Sequence, residues 1–134
     1  MELFKISFQS HPRWLKEIRS LVKEACVVSG CDEAQIKNLV LAVDEACTNV
    51  IKHSYKGRTD GEIILECLES SGDLEFILRD RGEPVDHDKI KCRSLEEIRP
   101  GGLGVYLIKN TMDRVDYSRS KGMNIVTMTK YAKA

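Results

Sequence analysis

"DEACTNVIKHSY", residues 44–55, is the stretch on which the reading of this chain turns. It closes a longer run in which Ile36, Leu39, Val40, Val43, Cys47, Val50 and Ile51 recur at helical spacing. Asp32 stands just before that run and Gln35 three residues later, the pattern of a capping box. A helix is therefore expected from Glu33 to about Ser54. At roughly 100° per residue, Glu45 and Asn49 fall opposite a stripe centred on Ile36, Val43 and Cys47. They lie one turn apart, with Lys52 nearby.

Two readings of that polar face compete. A solvated helix surface carries residues of this kind with no further role. The other reading uses their chemistry. Asn49 offers a neutral oxygen suited to a hard cation such as Mg²⁺. Glu45 offers a carboxylate able to take a proton from an attacking hydroxyl.

Working outward from the helix, "LFKISF" (Leu3 to Phe8) alternates as a strand does, and His11-Pro12 ends it. "RWLKEIRSLVKEACVVSG", residues 13–30, has helical spacing and stops at Gly30. On the other side the period changes. "GEIILECL" (Gly61 to Leu68) and "DLEFILRD" (Asp73 to Asp80) read as strands joined by a hairpin at "ESSG". Residues 81 to about 103 have no clean period and are too long for an ordinary connection, so a functional lid is expected there. A short helix at about Val105 to Met112 follows. "RVDYSRS", a turn at Lys121-Gly122 and "NIVTMTKYA" make a last hairpin. The order is β-α-α-β-β-loop-α-β-β. Hairpin-borne strands imply a mostly antiparallel mixed sheet, with helices on one face, in an α+β two-layer sandwich.

The bulk properties exclude several classes. A chain of 134 residues is expected to be one domain, 1–134. Lys plus Arg and Asp plus Glu each number 21, so there is no basic excess and no direct nucleic-acid partner is expected. No apolar run approaches the ~20 residues that span a membrane. "MELFKISFQS" lacks the plan of a signal peptide, which leaves a cytoplasmic protein as the expectation. Cys26, Cys31, Cys47, Cys67 and Cys92 are odd in number and include no CxxC, so they read as reduced thiols that mostly fill apolar space. His11, His53 and His87 are scattered and make no spaced ligand set.

Two further stretches carry chemistry. In "LRDRGEP", residues 78–84, alternation with Leu74, Phe76 and Leu78 turns Asp80 inward. A carboxylate there either caps its own loop or accepts a hydrogen bond from an exocyclic amine of a ligand, such as that of adenine. Gly82 lets the chain bend closely around something. In "PGGLGVYLIKNTMD", residues 100–113, three glycines in four positions open a helix. They make either a plain hinge or a loop whose amides meet phosphates at a helix start. Neither the Walker A loop nor the dinucleotide fingerprint fits its surroundings.

Together, Glu45-x-x-x-Asn49, Asp80-x-Gly82 and Gly102-x-Gly104 resemble the N, G1 and G2 boxes of the Bergerat (GHKL) ATP-binding fold. "EACTNVIKHSY", "PGGLGVYLIKNTMD" and "TMTKY" are most similar to the stand-alone serine/threonine kinases that act as bacterial anti-sigma factors. The resemblance runs from Leu3 to Tyr131 and leaves no room for a phosphoacceptor or transducer domain. It implies ATP and Mg²⁺ as cofactors, Asn49 toward Mg²⁺, Asp80 toward the adenine amine, and backbone approach at Gly82, Gly102, Leu103 and Gly104. Glu45 would be the base toward a serine or threonine hydroxyl. One of Lys89, Lys91, Arg93 and Arg99 could reach the phosphates. The implied partners are an anti-anti-sigma antagonist as phosphoacceptor, a sigma factor, and a second copy of the chain. The family's late-strand threonine falls in "GMNIVTMTK", where Asn124 and Thr127 are both candidates. His53 reads as a supporting residue rather than a phosphoacceptor. The alternative function is a nucleotide-gated binding switch without kinase activity; a water-directed ATPase and a histidine-kinase fragment fit less well.

Overall fold

The computed structural model describes residues 1–85 and 108–132. Its strands are β1 (Glu2–Gln9), β2 (Glu62–Ser70), β3 (Asp73–Asp80), β4 (Arg114–Ser120) and β5 (Met123–Lys130). They form one sheet in the order β1-β2-β3-β5-β4. All four neighbouring pairs are antiparallel. Two helices, α1 (Leu15–Val28) and α2 (Glu33–Asn49), separate β1 from β2.

Local sequence explains the boundaries. Both tight hairpins have two-residue turns, Ser71-Gly72 and Lys121-Gly122. All four of those residues have φ between 52° and 87°. Positive φ at both turn positions matches the twist of the flanking strands, and glycine is the residue that adopts it freely. At the end of α1, Gly30 takes φ 82°. Its amide donates to Val27 O at 3.1 Å and that of Cys31 to Cys26 O at 3.0 Å, a Schellman stop. The expected capping box forms at α2: Gln35 N donates to Asp32 Oδ1 at 2.8 Å, and Asp32 N to Gln35 Oε1 at 3.1 Å.

The expected single helix to Ser54 is two pieces. Regular α2 ends at Asn49, and Val50–Ser54 form one wider π-helical turn. Tyr55 N accordingly reaches back to Val50 O at 3.0 Å. Tyr55 accounts for the change of pitch. Its buried ring lies against Gly61, just before β2, while its hydroxyl donates to Glu62 O and accepts from Arg81 N at 2.8 Å. One tyrosine thus ties the helix end to β2 and to the residue after β3.

One sheet face is dry. Ile63, Leu65 and Cys67 of β2, Leu74, Phe76 and Leu78 of β3, and Val126 and Met128 of β5 are buried with Ile18, Val22 and Cys26 of α1 and Leu39, Val43 and Cys47 of α2. The helices cover that face alone, giving the expected two-layer α+β sandwich. Asp80 continues the inward row of β3 at 1% exposure, as its alternation predicts. Residues 108–111 are helical, with Ile108 and Met112 in the core. From residue 86 on, the expected lid and its glycine loop, with Gly102, Leu103 and Gly104, lie outside the described residues. No helix among the described residues is long and apolar enough to cross a membrane.

Candidate active site

At one end of the dry face the core opens into a cleft of about 440 Å³, part of it open to solvent. Ala46, Asn49, Val50, His53 and Ser54 form its helical wall, and Asp80, Tyr117, Asn124 and Val126 its sheet wall; Val85 and Ile108 complete it. Apolar walls with a few converging polar atoms suit a flat, partly polar ligand.

The sheet wall is built around Asp80. Its Oδ1 accepts from Gly82 N at 2.9 Å and from Asn124 Nδ2 at 2.9 Å. Its Oδ2 accepts from Ser54 Oγ at 3.3 Å, a long bond. Burial pushes the Asp80 carboxyl above the ordinary Asp range, and the bonds from Asn124, Gly82 and Ser54 oppose the shift, as does the Arg119 charge. The capping reading of Asp80 is met at Oδ1, which holds the strand's own turn, while Oδ2 keeps capacity to accept a further bond.

Asn124 stands directly across from Asp80 on β5. The two candidates left by sequence fall on different faces. Asn124 and Val126 point inward, while Thr127, one residue out of phase, pairs with Ile77 and belongs to the other face.

Gly82 does approach something closely, and it is protein. A Cβ there would come within 2.5 Å of Ser54 O and 2.6 Å of Ser54 C. The glycine is needed so that the turn after β3 can lie against the π-helical backbone, which Glu83 N also joins by a 2.9 Å bond to Ser54 O.

On the helical wall the expected geometry changes. Asn49 is half-buried and lines the cleft rather than facing away from the core. Ala42 and Ala46 are buried too, so the apolar face of α2 is wider than the large side chains suggest and extends to Asn49. Its Oδ1 is buried with no hydrogen-bond partner among the described residues. A buried amide oxygen left unpaired costs free energy unless a ligand completes it. A neutral, hard oxygen of this kind fits Mg²⁺.

Glu45 lies one turn earlier and outside the cleft lining. It is half-buried, and its carboxyl is raised above the ordinary Glu range, first by burial and then by Asp44, against the pull of Lys52. His53 lines the cleft, consistent with a supporting place. Sequence reasoning did not assign Ser54 or Arg119. Ser54 lay inside the opening stretch, but its contact with Asp80 depends on the π-turn. Nothing in the pattern of "RVDYSRS" singles out Arg119.

Residues 8–130 match the family model described as the histidine kinase-like ATPase domain. The chain is 30% identical to the serine-protein kinase RsbW of Bacillus pumilus, over 98% of this chain and 86% of that one. It is 38% identical to the serine-protein kinase RsbW of a Listeria monocytogenes strain, over 77% of this chain and 70% of that one. Among solved structures, one of the RsbU and RsbW domains of Rv1364c from Mycobacterium tuberculosis superposes with a TM-score of 0.68 at 18% identity, which speaks to fold. That match covers 95% of this chain and 31% of the mycobacterial chain, so this chain spans about a third of it. The chain therefore belongs to the histidine kinase-like ATPase domain family, alongside the RsbW serine-protein kinases.

Proposed function

We propose that this chain is an ATP-dependent protein serine/threonine kinase of the anti-sigma type. It would phosphorylate an anti-anti-sigma antagonist and sequester a sigma factor. Its relatives' name supports the kinase activity; the regulatory partners and a homodimeric state rest on the resemblance, and a cytoplasmic setting is proposed with them. The observation that carries the reading is one cleft holding a buried carboxylate with a spare acceptor oxygen, Asp80, and a buried amide oxygen, that of Asn49, with no partner among the described residues.

In this reading Asp80 Oδ2 accepts from the 6-amino group of adenine, while the apolar wall of Ala46, Val50 and Val126 takes the ring. Asn49 would hold Mg²⁺ through Oδ1, and the bound cation would neutralise charge on the phosphate oxygens. Glu45 accepts the proton of the partner's serine or threonine hydroxyl as its oxygen bonds to the γ-phosphorus and the bond to ADP breaks. A base must be ionised to act, so transfer should fall as pH drops through the raised Glu45 pKa. Positioning and charge neutralisation are most of what phosphoryl transfer asks of a protein. Gly102, Leu103 and Gly104 are assigned to the phosphates by resemblance.

Calorimetry with ATP tests the site. Asp80→Asn should weaken binding by about 1–3 kcal/mol, the scale for an ill-matched buried polar group. Asn49→Ala should lose the Mg²⁺-dependent part of the affinity. Unchanged ATP affinity in Asp80→Asn would overturn the adenine assignment.

A further inference from the structure

We infer that Arg119 and Asn124 form a brace that positions Asp80 and so sets how strongly the site prefers a 6-aminopurine; this rests on the proposed adenine site. Neither residue needs to touch the base. Asn124 spends its amide inside the protein. Its Nδ2 donates to Asp80 Oδ1 at 2.9 Å and to Glu83 O at 2.8 Å, with Ser54 Oγ at the 3.5 Å limit. Its Oδ1 accepts from Arg119 Nη1 at 2.8 Å. The same Arg119 nitrogen reaches Gly82 O at 3.3 Å.

Only one orientation of this amide satisfies its neighbours. Turned over, its oxygen would face a carboxylate and a carbonyl, and its NH₂ group would face a guanidinium. Arg119 holds the favourable orientation from β4, and Asn124 passes it to Asp80. The chain from β4 through β5 to β3 runs along paired positions, since Arg119 is opposite Asn124 and Asn124 opposite Asp80.

The consequence for Asp80 is asymmetry. Gly82 N and Asn124 Nδ2 occupy Oδ1, and among the described residues Oδ2 has only the long Ser54 bond. The brace stops the carboxylate rotating to share its acceptors. It therefore presents one oxygen, in one direction, to an amine in the cleft. Arg119 also ties the turn after β3 to the same amide. Loss of the brace should act on selectivity for the amino group more than on grip for the rest of a nucleotide.

The test compares ATP with purine riboside triphosphate, which lacks the 6-amino group, by calorimetry on the full chain. Wild type should prefer ATP. Arg119→Ala should cut that preference about three- to tenfold, and Asn124→Leu about tenfold or more, with affinity for purine riboside triphosphate little changed. Arg119→Lys should restore part of it, because one donor returns. A merely structural role would weaken both nucleotides together and leave the ratio intact. Arg119 is an exposed side chain, so its variant carries the test even if Asn124→Leu folds poorly. A ratio unchanged in Arg119→Ala but collapsed in Asp80→Asn overturns the brace alone. A ratio unchanged in Asp80→Asn as well overturns the adenine site and the brace with it.

Discussion

The inward row of β3 has two ends that differ in kind. Leu74, Phe76 and Leu78 are at most 1% exposed, and so is Asp80 two residues further on. At the apolar end, the cover is thiol and hydrocarbon. Cys26 and Cys67 are pushed up to about 12, chiefly by burial, which leaves them as inert fillers. At the other end, burial also raises the Asp80 carboxyl, yet four groups are spent on holding it charged. The first end is organised for stability. The second keeps a costly group in a dry place, beside an oxygen of Asn49 with nothing to bind among the described residues. That contrast marks the site more sharply than the cleft's size does.

The largest expected effect lies at the polar end and leaves binding alone. Glu45→Gln keeps the size of the side chain but cannot take a proton. In single-turnover transfer to a serine-bearing partner the rate should fall about 10²–10⁴-fold, with ATP affinity close to wild type. Wild-type transfer would reduce Glu45 to a helix-surface residue. Partner exchange governed by nucleotide, with no transfer by wild type, would instead favour the switch reading.

Next comes the apolar end. Phe76→Ala should cost about 3–5 kcal/mol in chemical denaturation, the range for emptying a buried aromatic site. If the loss is near zero, the row is not the packed core described here.

The smallest effect has the most telling sign. A carboxyl whose folded pKa is raised contributes stability that is present below its unfolded pKa and lost as pH rises through the folded one. As pH rises through that folded value, the nucleotide-free wild type takes on the burden of ionising Asp80. Asp80→Asn should melt at or above wild type at pH 7.5, and the gap should narrow as pH falls into the ordinary Asp range. A variant less stable than wild type by the same margin at every pH would show that Asp80 is there for structure.

Much of this was legible in the sequence because the signals are local. The capping box at Asp32, the stop at Gly30 and both glycine turns depend on residues a few positions apart. Alternation alone turned Asp80 inward. The failures share a different cause. Asn49 was placed away from the core because Ala42 and Ala46 are small and did not count toward the stripe, although both are buried. The π-turn that brings Ser54 to Asp80 follows from Tyr55 gripping two strand ends, which no helical periodicity encodes. The close approach expected at Gly82 is met by the Ser54 backbone, a neighbour that only the π-turn brings there. Asn124 and Arg119 took on meaning only once the register of β3, β5 and β4 was known.

The sheet order also bears on how fast the chain folds and unfolds. β2–β3 and β4–β5 are hairpins with two-residue turns, each able to form from neighbouring sequence. The β3–β5 junction joins them, and the Asn124–Asp80 bond across it links residues 44 apart. Local pairings form early and distant ones wait for loop closure. Until the two hairpins meet, there is no Asn124 beside Asp80 and nothing for a nucleotide to hold. Added ATP should then slow unfolding in stopped-flow mixing while leaving the refolding rate unchanged. Nucleotide would thus govern how long a folded molecule lasts, and have no part in how quickly one is made.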